Sequence, residues 1–329
     1  AAVEAGAGLA RDLVNAPPNC KTTLAMAALA EALAEESDGV LSAKILDEDE
    51  CAEMGMGSYL AVARGSKYPA RFIHMTYTPP GKAAGDEGLK RIALVGKGLT
   101  YDSGGYNIKM QLQDIMKFDM GGSAAIFGAA ATVAALAPPD LEVHFIVAAA
   151  ENMVSAEAYR PGDVLTASNG MTIEVINTDA EGRLTLADAL IYAEKLDPTV
   201  ILEISTLTGA SFVALGTKLA ALFTENEKLA ERIISSAKTA GEGLWRLPME
   251  TVYEDDIKSS IADVKNLGGR WGGAIHAALF LKKFVKKTPF AHVDMAGPVW
   301  NHAKGVATGY GVGLLTEFVM THSDAGRKE

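Results

Sequence analysis

Residues 91–109 read RIALVGKGLTYDSGGYNIK, an apolar run at 91–96 that breaks into a glycine-bearing stretch carrying Lys97, Asp102 and Lys109. A short apolar run bounded by glycine predicts a buried strand followed by a loop. The pattern recurs downstream. Gly121-Gly122-Ser123 opens an alanine-rich helix that must end before Pro138-Pro139. Residues 141–150, 172–176, 200–205 and 290–295 read as further strands, and 184–196, 226–240 and 274–285 as helices. Upstream, one helix is expected through Val14, stopped by Asn15-Ala16-Pro17-Pro18, and a second over 21–36. Strands at 40–46 and 70–78 follow, then a polar turn at 79–88.

Strands alternating with helices predict an α/β fold with a mixed, largely parallel central sheet and helices on both faces. No internal repeat or low-complexity linker divides the sequence. Residues 1–329 are therefore expected to form one domain, with residues 1–36 as a helical lead-in.

Composition narrows the function classes. The chain is 49% hydrophobic and 22% charged, an ordinary globular balance. Its net charge of -11 repels a phosphate backbone unless a basic patch exists. The densest basic run, Lys282-Lys283 and Lys286-Lys287, has the spacing of a solvated helix face. Cys20 and Cys51 lack CxxC or Cys/His spacing, which argues against a disulfide framework and for a reducing compartment. No apolar run reads as transmembrane, and the opening residues lack the basic start of a signal peptide.

Polar side chains gather in the segments that follow apolar strands. Lys97, Asp102, Lys109 and Asp119 follow the first strand, and Asn177, Thr178, Asp179, Glu181 and Arg183 follow the run at 172–176. In open α/β sheets ligands sit beyond the carboxyl ends of strands, so both sets can face one crevice. Four carboxylates sharing it repel one another and resist ionisation, a conflict that bridging divalent cations remove. Oxygen-rich ligands without a His/Cys cluster favour a two-cation carboxylate site over a structural zinc site. Such a pair can hold a hydroxide nucleophile and clamp a substrate oxygen, as a hydrolase requires.

Two segments, VGKGLTYDSGGYNIK (95–109) and NTDAEGRL (177–184), resemble the leucine aminopeptidase (cytosol aminopeptidase) family. Agreement continues through DMGGSAA (119–125), LTGA (207–210), WRLP (245–248) and HVDMAG (292–297), and the wording is most like plant and algal members. The resemblance implies a metalloaminopeptidase with two divalent metal ions, Zn2+, or Mn2+ or Mg2+ at the exchangeable position. Lys97, Asp102, Asp119 and Glu181 would hold the exchangeable ion. Asp102, Asp179 and Glu181 would hold the other. Lys97 would ligate as a neutral amine, Lys109 would polarise the scissile carbonyl, and Arg183 would hold a bicarbonate acting as general base. Backbone around residues 207–209 would border the specificity pocket.

The resemblance also implies peptide substrates with a free amino terminus, a hexamer, and a cytoplasmic or plastid-stroma location. It implies an amino-terminal domain that is absent from this chain. Residues 110–118 (MQLQDIMKF) form a shorter segment than the family leads one to expect, at a place that should line the site.

Gly104-Gly105 and Gly121-Gly122 lack the spacing of nucleotide loops. His74, His144 and His292 read as core or interface residues, His302 and His322 as surface ones, and Asp188 and Glu203 as structural. A catalytically weak homologue with a scaffold or chaperone-like role is the alternative function. DNA binding is opposed by the acidic charge.

Overall fold

The computed structural model describes residues 1–323. Helices α1 (Ala2–Asn15) and α2 (Thr23–Glu35) lead into strand β1 (Leu41–Leu46). Pro17 and Pro18 separate the two helices, and the Thr22 hydroxyl caps α2 by accepting from Ala25 N. Helices α3 (Glu48–Glu53) and α4 (Gly57–Ala63) follow, α3 opening on a capping box between Asp47 and Glu50. Then come β2 (Arg71–Tyr77), β3 (Lys90–Asp102), helix α5 (Gly121–Leu136) and β4 (Leu141–Asn152).

Strands β5 (Val164–Thr166) and β6 (Thr172–Glu174) precede helix α6 (Gly182–Lys195) and β7 (Val200–Ser205). Helix α7 (Gly209–Leu215), β8 (Ala220–Phe223), helix α8 (Glu227–Ala240), β9 (Leu244–Arg246) and β10 (Val264–Lys265) come next. Helix α9 (Gly273–Lys282), β11 (Phe290–Asp294), the hairpin β12 (Trp300–Asn301) and β13 (Val306–Ala307), and helix α10 (Val312–Met320) close the order.

Eight strands make the main sheet, in the order β1-β2-β4-β3-β7-β11-β8-β9. Its centre, β4-β3-β7-β11, is parallel throughout. Antiparallel pairs lie on either side, at β1-β2-β4 and β11-β8. The expected mixed, largely parallel sheet is therefore present.

Side chains alternate across it. Ile92 and Leu94 of β3 join a core with α1, α2, α5, α8 and α10, whereas Ala93 and Val95 join a second core with α3, α4, α6 and α9. Helices cover both faces, and all of β4 is buried, as a central parallel strand requires.

Several boundaries differ from expectation. The strand expected over 91–96 runs on to Asp102, so Lys97 and Asp102 are strand residues rather than loop residues. The run at 172–176 ends as a strand at Glu174 and pairs with β5 and β10 in a separate small sheet. Helix α9 ends at Lys282, so Lys286 and Lys287 lie beyond it rather than on its face. Gln113–Leu136 passes a length-and-composition test for a membrane-crossing helix, a test that a buried core helix also passes. It is 78% buried inside the protein, as a core helix is.

The structural readings of single residues hold. His74, His144 and His292 are buried, and Glu203 pairs with His292 in the core. Asp188 accepts from Tyr59 N at 2.9 Å and Ser168 N at 2.7 Å, tying α4 and the loop after β5 to α6.

Candidate metal centre

The parallel strands point one way: β7 and β11 end together at Ser205 and Asp294, level with Lys97, while β3 and β4 run on side by side to Asp102 and Asn152. Lys97 and Asp102 are an odd number of residues apart, and in a regular strand would point to opposite faces. A register shift between Leu99 and Asp102, where β3 advances three residues against two on β4, removes that conflict. A bulge of this kind re-aims a side chain. Here it lets the Lys97 amine and the Asp102 carboxylate line the same cavity.

Asp119 follows a 3-10 turn, Gln113–Phe118, and immediately precedes α5. The segment expected to line the site does so: Met110, Gln111, Leu112, Met116 and Phe118 form one wall of a cavity of about 430 Å³. Leu207, Thr208 and Gly209 line it as expected, and Asp294 fixes that loop by accepting from Leu207 N at 3.2 Å and Thr208 Oγ1 at 2.6 Å. Asp179 and Glu181 enter from the turn before α6.

All five proposed ligands and Lys109 thus converge on one cavity. Lys97 Nζ lies 2.9 Å from Asp119 Oδ2 and 2.8 Å from Glu181 Oε1, and donates to Thr206 O at 3.0 Å. Lys109 Nζ lies 2.8 Å from Asp102 Oδ2 and 2.6 Å from Asp179 Oδ1. Asp102, Asp179 and Glu181 each offer an oxygen within 4.8 Å of the others.

Burial drives the Asp102 carboxyl well above its ordinary range, reinforced by the negative charge of Glu181. Burial likewise lifts Asp119 to about 6, although Lys97 opposes it. Burial and Glu181 raise Asp179 as well. Burial acts against Glu181 too, yet Lys97 and Lys109 outweigh it and hold that carboxylate below its usual value.

Both lysines are pushed the other way. Burial disfavours their charge, but the surrounding carboxylates prevail and hold Lys97 and Lys109 as ammonium ions above their usual range. The neutral Lys97 amine implied by the resemblance is therefore a property of metal ligation, since dications would have to displace its proton.

The residues fit a pair of divalent cations. Asp102 Oδ2, Asp119 Oδ2 and both Glu181 oxygens are buried without an aligned hydrogen-bond donor, although the ammonium charges lie close. Buried carboxylate oxygens without donors are costly unless a cation takes them. Oxygen donors with one amine also suit hard or borderline divalent ions.

Arg183, on the first turn of α6, is 4% exposed and donates to Asn266 O at 2.8 Å, while its Nε is buried without a partner. Burial lowers its guanidinium to about 10, against the pull of Glu181 and Asp294. The cavity beside it, about 180 Å³, is lined by Asp179, Ala180, Leu207 and Gly209. A small planar anion fits such a guanidinium by parallel hydrogen bonds.

Several participants were not foreseen. Asn152 donates to Asp102 Oδ1 at 2.7 Å and to Thr178 O at 3.0 Å, orienting the Asp102 carboxylate. Its only sequence signal is a polar residue ending a long apolar run. Asn266, inside an Asn-Leu-Gly-Gly stretch that reads as an ordinary turn, gives no signal. His302, expected at the surface, is exposed but also lines the cavity, 5.5 Å from the Phe212 ring by centroids.

A carboxylate-rich cleft at the carboxyl ends of parallel strands defines the class: an α/β protein with an acidic cluster that could hold a metal ion. Residues 8–316 match the catalytic domain of the cytosol aminopeptidase family, and the chain belongs to that family. It is 53% identical over 327 residues to chloroplastic leucine aminopeptidase 2 of Arabidopsis thaliana, covering 98% of this chain and 55% of that protein. It is 52% identical to a probable cytosol aminopeptidase of Synechococcus sp. (strain CC9605), covering 97% of this chain and 65% of that one. A solved structure of a tomato leucine aminopeptidase mutant superposes with a TM-score of 0.91 at 51% identity, covering 97% of this chain and 61% of that chain. The chain thus spans between about half and two thirds of the length of these relatives.

Proposed function

We propose that this protein is an aminopeptidase of the leucyl type, dependent on two divalent metal ions, that removes the first residue from peptides with a free amino terminus. The observation that carries the reading is the convergence of Lys97, Asp102, Asp119, Asp179 and Glu181 with Lys109 in one cavity. Lys97, Asp102, Asp119 and Glu181 would hold the exchangeable ion, and Asp102, Asp179 and Glu181 the other, with Asp102 and Glu181 shared. When bound, the ions supply Lewis acidity and a water of lowered pKa. Zinc fits this role, with manganese or magnesium at the exchangeable position.

The protein's own groups complete the chemistry. Lys109 is held as an ammonium at the edge of the carboxylate cluster, where it can stabilise negative charge developing on the scissile carbonyl oxygen. Arg183 lines the neighbouring cavity, which suits a bicarbonate held there to accept and return a proton. The apolar wall of Met110, Leu112, Met116 and Phe118 suits an apolar first side chain.

A cytosolic or plastid location accords with the names of these relatives, and assembly as a hexamer is a further part of this reading. The test is hydrolysis of a leucyl chromogenic amide by the 329-residue chain with added Mn2+ or Zn2+. Absence of turnover in the metal-loaded protein would replace this reading by the catalytically weak, scaffold-like one.

A further inference from the structure

We propose that Asn266 is a positioning residue that fixes Asp179 and Arg183 relative to each other, and thereby sets the affinity for the ion that Asp179 holds. The inference rests on the two-cation reading above. Asn266 lies just beyond β10 and is fully buried. Its Oδ1 accepts from Ile176 N at 2.7 Å and Asn177 N at 3.3 Å. Its Nδ2 donates to Asn177 O at 2.7 Å and Ala180 O at 3.3 Å. Its backbone N donates to Glu174 O at 2.9 Å, and its carbonyl accepts from Arg183 Nη1 at 2.8 Å.

A carboxamide has two donor hydrogens and one acceptor oxygen. Here every one of these groups is spent on a single turn, residues 176–180. That turn has left the β6 ladder, which ends at Glu174, and α6 begins only at Gly182. Asp179 itself gains little from packing, since its side chain is 36% exposed. Its backbone N instead donates to Asn177 Oδ1 at 2.7 Å, and Asn177 is the residue whose N and O the Asn266 carboxamide grips.

The placement of Asp179 therefore runs from Asn266 through Asn177. On the other flank, Thr178 is fixed separately: its N donates to Asn107 Oδ1 at 2.8 Å, and its carbonyl accepts from Asn152 and Tyr159. Asp119 and Lys97 hang on neither clamp, because they sit at the start of α5 and on β3. The two ions should therefore respond differently to changes at Asn266.

The test is a Zn2+ titration of the metal-free 329-residue chain by calorimetry, for the wild type and three variants. Asn266→Asp preserves size and acceptor but removes both Nδ2 donors. Asn177→Ala interrupts the same path one step later, at a partly exposed residue. Asn226→Ala removes the cap of α8, outside both cavities, and reports general destabilisation.

The expected result is that Asn266→Asp and Asn177→Ala weaken one of two binding events by about 10- to 100-fold, the size typical of groups that orient metal ligands. The other event stays unchanged, and Asn226→Ala lowers the thermal midpoint while leaving both. The inference is overturned if the folded variants bind both ions as the wild type does. It is equally overturned if both events weaken together. A wild type that takes up no zinc would instead overturn the two-cation reading itself. Should Asn266→Asp not fold, the outcome for Asn177→Ala decides alone.

Discussion

Lys97 Nζ and Glu181 Oε1 stand 2.8 Å apart with both side chains almost wholly buried, one from the middle of β3 and the other from the turn that starts α6. The pair joins the two segments that carry most of the site, and Asp119 completes it at 2.9 Å from the same amine. In the metal-free protein the amine compensates two buried carboxylates. Breaking such a pair by removing one partner costs about 3–5 kcal/mol, because a buried charge is left unmatched.

Lys97→Met should therefore lower the unfolding free energy of the chelator-treated protein by about 3–5 kcal/mol, read from urea denaturation. It should also abolish uptake of the exchangeable ion. A loss below about 1 kcal/mol would mean that the carboxylates simply take up protons, as the raised Asp102 and Asp119 values allow.

Lys109 and Asp179 touch at 2.6 Å yet should fail differently when replaced. With Lys109 in the proposed role of stabilising the developing oxyanion, Lys109→Ala should lower kcat by about 10²–10³ while metal content stays at the wild-type level. With Asp179 as a proposed ligand, Asp179→Ala should lower the metal content itself. Elemental analysis beside steady-state kinetics separates the two, and full turnover by Lys109→Ala would refute the role given to it.

A second polar network predicts how stability depends on pH. His74 Nδ1 contacts Tyr192 OH at 2.9 Å and its Nε2 contacts His144 Nδ1 at 3.0 Å, while His144 Nε2 lies 3.2 Å from Glu142. Burial, then the charges of His144 and Lys44, lowers His74 to about 3, so the folded protein keeps it neutral. The unfolded chain protonates it near 6.5, and stability should fall as pH drops from about 6.5 toward 3, by up to about 1.4 kcal/mol per unit.

Asp188 acts in the opposite sense, because burial raises its folded value to about 6 and stability gained from it grows as pH falls from 6 toward 4. His74→Gln isolates the histidine. Thermal midpoints measured at pH 7 and pH 5 should differ less for the variant than for the wild type. An unchanged difference would assign the acid sensitivity elsewhere.

Much of this architecture was legible in the residues. Strand β7 shows its full extent in the sequence, and the residues expected to meet at the site do line one cavity, because they lie in short, distinctive segments. Helices α3, α4, α7 and α10 and strands β5, β8, β9, β10, β12 and β13 do not show in the sequence. They are short or uniformly apolar, so neither period stands out, and their conformation is decided by what they pack against. The extension of β3 to Asp102 was hidden by its glycines and polar residues, which signal a loop until β4 supplies a partner. Asn152 and Asn266 act through side-chain bonds to residues 26 to 90 positions away, a relation that no local pattern encodes.

Gly182, between Glu181 and Arg183, explains a letter of the signature that carries no side-chain chemistry. A Cβ at this position would lie 2.5 Å from Lys97 Cε and 2.7 Å from Lys97 Nζ, inside any real contact distance. The end of Lys97 can shift only by giving up its contacts with Asp119, Glu181 and Thr206 O. The helix could accommodate alanine at its first residue without backbone strain, and alanine is the better helix former. Gly182→Ala should nevertheless destabilise the protein by about 1–3 kcal/mol through overpacking. It should also push the amine away from Glu181, so that uptake of the exchangeable ion weakens while Lys109 still engages Asp102 and Asp179. Denaturation and metal titration of this one variant test both effects. A stabilised Gly182→Ala protein with normal metal uptake would show that the glycine serves the helix start and not the lysine.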